Sequence, residues 1–239
     1  MPATSSTAPD GTISSSAASE AVQAVAGWAG PALAAAAAVY VLGEAAAAAA
    51  WDQRQYSYAQ DYVNFLGSPF AGTFQGVLIS SPLWWLMSVA WVLTGALIAA
   101  AAALALSRPL TGWRRRTTAA LGVASGTALV LFAAFPLGPQ RMGDPTLVLY
   151  LLGAFVSIIA GNALAVLVGL SARRLRLPRW LAATSITLGA IGLVNIPATY
   201  GWAPTGVAER ISVYSYLLWA LLTGASLILT ARTPRSVRD

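Results

Sequence analysis

The sequence predicts an all-α, polytopic membrane bundle of six transmembrane helices with both termini in the cytoplasm. Three observations carry that prediction. Of 239 residues, 57% are apolar and only 9% charged, whereas soluble domains carry about a quarter charged residues. A bilayer core of about 30 Å takes about 20 apolar residues in a helix, and six stretches reach that length. The arginines, finally, alternate between rich and poor loops along the chain.

In order, the stretches are Pro31–Trp51, Pro82–Leu106, Thr117–Leu137, Thr146–Leu170, Trp180–Ala198 and Ile211–Thr230. The first is mostly Ala and contains Glu44; the second, fourth and sixth contain no Asp, Glu, Lys or Arg. Ahead of them, residues 1–26 are Ser, Thr, Ala and Pro-rich, with only Asp10 and Glu20 charged. They are expected to form a disordered cytoplasmic tail. No basic segment precedes an apolar one there, so a signal peptide is not expected. Residues 27–231 form one transmembrane domain, followed by a short basic cytoplasmic tail over 232–239.

Arg108, Arg114, Arg115 and Arg116 follow the second stretch, Arg173, Arg174, Arg176 and Arg179 the fourth, and Arg232, Arg235 and Arg238 the sixth. The other loops hold only Arg54, Arg141 and Arg210. Eleven against three places the rich loops and both termini inside and requires an even number of spans. The net charge of +6 then points to anionic lipid headgroups rather than nucleic acid. Trp113 and Trp180 at the inner boundary, with Trp51, Trp84, Trp85, Tyr200 and Trp202 at the outer one, form the expected aromatic belts. In the fourth stretch Gly153, Ser157, Gly161, Ala165 and Gly169 make a small-residue face, and the third carries Gly122 and Gly126. Such faces admit close helix packing, first of all inside the bundle.

The chain has no Cys and no His. That excludes thiol chemistry, a His-based triad and the usual zinc sites, so no metal or cofactor is expected. Among the acids, Asp52, Asp61, Asp144 and Glu209 fall in the outer loops. Glu44 lies seven residues before Trp51, about 10 Å below the outer boundary at 1.5 Å per residue. An ionisable group in a span is a candidate site, and its structural alternative is pairing with Arg210, Arg141 or Arg54. Glu209-Arg210 opens the sixth stretch, with Tyr214 four residues on and therefore on the face of Arg210. Arg210 is expected to organise a carboxylate cluster or hold an anionic headgroup. Asp52–Ser81 is too long for a plain connector, and two readings stand: a re-entrant segment or lid over the bundle mouth, or a partly disordered loop. Asn195 lies near the outer end and is expected to join this site, whereas Asn162 lies in the inner third.

Asp61-Tyr62-Val63-Asn64-Phe65-Leu66-Gly67-Ser68, then Ser81-Pro82-Leu83 running to Met87 and Gly95, resemble the multipass membrane proteins of domain-of-unknown-function family 998. So do Phe135-Pro136 with Gly138-Pro139, Asp144 with Gly153 and Gly161-Asn162, and Gly206 with Glu209-Arg210-Ile211-Ser212-Val213-Tyr214 and Trp219. The resemblance covers about residues 30–230. It implies a six-helix membrane fold without an assigned activity. It marks Asp61, Asn64, Asn162, Glu209 and Arg210 as motif positions but gives them no roles. The sequence departs from it at Tyr150, where members often carry His.

The reading of function that follows is an enzyme acting on a lipid-like or isoprenoid substrate in an outward-opening aromatic cavity. Glu209, Asp61 and Glu44 are the candidate proton donors, since burial among apolar groups favours a protonated carboxyl. Arg210, Asn64, Tyr214, Asn195, Trp219, Trp85 and Phe65 are the candidate substrate contacts, the aromatics stabilising a cationic intermediate. In residue type, without an aligned motif, this is similar to the small multipass terpene cyclases of meroterpenoid pathways. Two alternatives stand beside it: a non-catalytic lipid-binding or assembly module, as a homo-oligomer or with a membrane-protein partner, and a transporter with Glu44 titrating. Neither a sequence repeat nor polar inner helix halves support the transporter.

Overall fold

A computed structural model describes residues 13–200 and 204–232 of the chain. Six helices are long and apolar enough to cross a membrane: α1 (Ile13–Ala49), α2 (Trp84–Ala101), α3 (Gly112–Ala134), α4 (Leu147–Leu170), α5 (Arg179–Val194) and α6 (Thr205–Arg232). Each packs on the next, α6 returns to α1, and α4 also reaches α6 across the middle. This is a multipass membrane protein, and its strand content among the described residues is one short hairpin.

Small residues set the helix spacings, as lipid-embedded packing requires. A Cβ on Gly30 of α1 would meet the Gly224 carbonyl of α6 at 3.0 Å, and one on Gly95 of α2 would meet the Gly126 carbonyl of α3 at 2.6 Å. The small face of α4 is used entirely within the bundle. Gly153 lies on the Phe132 backbone of α3, Gly161 on the Tyr216 ring of α6 and Gly169 on the Ala182 carbonyl of α5. Buried hydroxyls add cross-helix bonds: Thr94 donates to the Ala36 carbonyl and Ser125 to that of Ser157, each at 3.1 Å. Past Ala101 one π-turn, Ala102–Leu106, continues α2, and Ala102 packs against Gly122.

Several boundaries differ from the sequence expectation. Helix α1 begins at Ile13, so the disordered tail expected over residues 1–26 is helical from that point; its Ala, Glu and Gln extend an already nucleated helix at little cost. Residues 1–12 and 233–239, with Asp10, Arg235, Arg238 and the basic tail, lie outside the described residues, as does Trp202. Helix α5 ends at Val194 and passes into a 3-10 turn over Ile196–Tyr200, because Pro197 has no N–H to donate and disfavours helix at the residue before it. Most consequentially, α6 starts at Thr205. Glu209 and Arg210 therefore sit inside the helix, about one turn beyond its first residue, rather than opening it.

The segment between α1 and α2 is a folded cap. Its 3-10 turn Val63–Gly67 is buried throughout. An antiparallel hairpin, β1 (Gly72–Phe74) and β2 (Val77–Ile79), follows. Gln75 and Gly76 make its two-residue turn with φ of 49° and 78°, the left-handed pair that matches the twist of a tight hairpin. Phe65 and Leu66 are buried under the cap, Gly67 lies on the Trp91 ring of α2, and Ser81 donates to the Leu66 carbonyl at 2.7 Å.

Candidate functional site

The polar residues of the cap end converge where α1, α6 and the cap meet. Helix α1 supplies Glu44, 1% exposed, and α6 supplies Arg210 and, one turn on, Tyr214. Arg210 Nε donates to Glu44 Oε1 at 2.8 Å, and the Tyr214 hydroxyl donates to Glu44 Oε2 at 2.8 Å. Arg210 Nη1 donates to the carbonyls of Tyr58, Asp61 and Gly206 at 2.7, 3.0 and 3.0 Å. Its Nη2 donates to the Tyr56 hydroxyl at 2.6 Å, and the guanidinium lies over the Tyr56 and Tyr58 rings. The cap backbone reaches Arg210 only because residue 206 is glycine: a Cβ there would stand 2.6 Å from the Asp61 carbonyl oxygen and 2.7 Å from that of Tyr58.

A second ion pair lies within the cap. Arg54 grips Asp61 through both nitrogens, at 2.7 and 2.6 Å, and the Ser57 N–H donates to the same carboxylate at 2.7 Å. The Asp61 side chain is buried while that of Arg54 is 31% exposed. Tyr56 touches a residue of each pair, since its hydroxyl accepts from Arg210 and lies within donating distance of the Asp61 and Tyr62 carbonyls, at 3.3 and 3.1 Å. Burial, the largest cause, raises the Tyr56 phenol above its ordinary value despite the nearby guanidinium.

Glu209 leaves α6 on the other side. Its Oε2 accepts the Val63 N–H at 2.6 Å, and among the described residues no ion pair reaches it. Asn64 donates to the Tyr150 hydroxyl. Asn195 and Asn162 are not at separate levels as expected. Asn195 donates to the Ser212 hydroxyl at 3.0 Å and Asn162 to the Ser212 carbonyl at 2.9 Å, so both meet at the same residue of α6. Asp52 takes the Ser80 hydroxyl. Asp144 takes the Thr146 hydroxyl and N–H, which hold its exposed carboxyl below the ordinary value.

The expected aromatic cavity is absent from this region. Trp219 and Phe65 are fully buried packing residues, Trp91 packs on Phe132 with the rings tilted at 58°, and Trp85 is 51% exposed on α2. Large rings fill the space between helices because their contact area is worth most there. What opens instead is an apolar groove of about 960 Å³ along α6, walled by Ala38, Val41 and Leu42 of α1 and Leu188 of α5. Its floor is Val207, Ile211, Leu218 and Leu221, and Tyr58, Arg210 and Tyr214 stand at its cap end. Many of these side chains are exposed, including Val41, Leu42, Leu218 and Leu221, so the groove opens on the flank of the bundle. Of the expected contacts, Arg210 and Tyr214 line it; Asn64, Asn195, Trp219, Trp85 and Phe65 do not.

Of the three candidate proton donors, Glu44 is paired with Arg210 and Asp61 with Arg54. Glu209 faces away from the groove. Among the described residues no three acids gather to hold a metal ion. Tyr56 and Tyr58 were not singled out by the sequence reading, and their i, i+2 spacing beside Asp61 is the only signal it offered.

No curated protein and no solved structure matches the chain. Residues 33–226, which hold every group just described on α1, the cap and α6, match the family described as protein of unknown function DUF998, and the chain belongs to that family.

Proposed function

We propose that this integral membrane protein is a lipid-binding module that takes the apolar chain of a lipid-like molecule into the α1–α6 groove. The observation that carries the reading is the groove itself: it is apolar along its length, open on the flank where lipid lies, and polar only at its cap end. An apolar chain entering it would exchange lipid for protein contacts, and the fit along the groove rather than a hydrophobic driving force would set the affinity. The arginine asymmetry supports an orientation with the cap outside and both termini in the cytoplasm.

The test is mass spectrometry of small molecules that co-purify with wild type, with Ala38→Trp, which fills the exposed wall of the groove, and with Val89→Trp, an exposed control on α2. A discrete lipid or isoprenoid on wild type and on Val89→Trp, lost from Ala38→Trp, supports binding. Identical bulk phospholipid on all three sinks it. A second reading, acid catalysis on a bound isoprenoid, has one observation in its favour: Glu209 carries no cation among the described residues. It requires that Glu209→Gln accumulate an unchanged molecule that wild type transforms.

A further inference from the structure

We infer that the groove selects an amphiphile with an uncharged head, a hydroxyl or ester, over one with an anionic or cationic head. The inference rests on the lipid-binding reading and adds the class of ligand.

Charge balance at the cap end is the argument. Arg210 is the one charged residue lining the groove. Its Nε is on Glu44, its Nη1 on three carbonyls and its Nη2 on Tyr56. Glu44 already balances Arg210, whose side chain is 8% exposed, so an anionic head there would add an uncompensated negative charge beside the buried Glu44, and drawing Arg210 away would strip that carboxylate of its partner. A cationic head fares no better, because Glu44 is 1% exposed and its charge is already balanced by Arg210, with the Tyr214 hydroxyl on its other oxygen. What remains is the Tyr58 hydroxyl, on a residue 46% exposed at the rim, with no hydrogen-bond partner among the described residues. A phenol can donate to an ester or exchange a hydrogen bond with a hydroxyl. From Val207 to Leu221 the floor runs along α6 for about 21 Å at 1.5 Å per residue, more than the about 15 Å of hydrocarbon in one leaflet. One extended chain can therefore lie in the groove with its head beside Tyr58.

The experiment is native mass spectrometry of the full chain with an equimolar mixture of dioleoylglycerol, dioleoylphosphatidylglycerol and dioleoyl-trimethylammonium-propane, which share their chains and differ in head charge. Only occupancy lost in Ala38→Trp is counted, which removes lipid held at the arginine-rich end; Leu42→Trp, at a residue 68% exposed, does the same if Ala38→Trp fails to fold. The expected result is that dioleoylglycerol exceeds each charged lipid by about tenfold and that Tyr58→Phe lowers its occupancy several-fold. Equal occupancy, or preference for either charged lipid, within the groove-dependent fraction overturns the neutral-head inference and leaves the groove reading standing. Binding of all three that neither tryptophan disturbs overturns both.

Discussion

The two ion pairs at the cap end are built from the same chemistry in different surroundings. Arg210–Glu44 is closed off, with side chains 8% and 1% exposed; in Arg54–Asp61 the carboxylate is equally hidden but the arginine is 31% exposed. In the first pair neither charge can fall back on water, so each depends on the other and on the cap carbonyls. In the second, the arginine can rehydrate. The difference separates a pair that fixes the fold from one that trims a loop, although both join groups a sequence motif would rank alike.

The largest effect should come from breaking the closed pair. Arg210→Met leaves Glu44 as an unpaired buried charge and should cost about 3–5 kcal/mol, read as a drop in the thermal midpoint in detergent. The double variant Glu44→Leu with Arg210→Met should recover most of that loss, since replacing both charges removes the uncompensated one. Next in size is Gly206→Ala, which drives a methyl into the Tyr58 and Asp61 carbonyls. The overpacking should cost about 1–3 kcal/mol and raise hydrogen exchange in residues 56–63 first. Asp61→Asn should cost only about 1 kcal/mol, because the arginine left behind, 31% exposed, can rehydrate and the amide oxygen can still accept from Ser57 N–H. A loss as large as that of Arg210→Met would erase the distinction drawn here.

The smallest effect sharpens the comparison through Tyr56, which touches both pairs. Its folded-state phenol is raised by burial, so above the ordinary value of about 10 the unfolded chain loses this proton while the folded chain keeps it. The folded state then binds more protons, and stability should fall as pH rises through that range. Thermal midpoints from pH 8 to 11 check the sign, and Tyr56→Phe should flatten part of the fall.

The spans were legible because hydropathy acts on whole stretches: each of the six carries an apolar run long enough to cross a bilayer. The α4 small face was legible for a similar reason, as was the shared face of Arg210 and Tyr214, which needs only helical spacing. The start of α6 was not, since Thr205-Gly206-Val207-Ala208 carries neither an apolar run nor a strong cap signal. Nor was the choice of partner. Glu44 and Arg210 lie 166 residues apart, and the sequence offered Arg54 and Arg141 equally; the closure of α6 onto α1 decides it. The aromatic cavity failed because abundance of rings does not say whether they line a space or fill it. Here Trp91 and Trp219 fill it.

The most direct test of the account is cryo-electron microscopy of the full chain in nanodiscs of native membrane lipid. The account predicts an elongated density along α6 from Val207 to Leu221, between α1 and α5, with Arg210 still on Glu44. Closure of α1 and α5 over α6, or Arg210 turned from Glu44 onto a lipid phosphate, would contradict it.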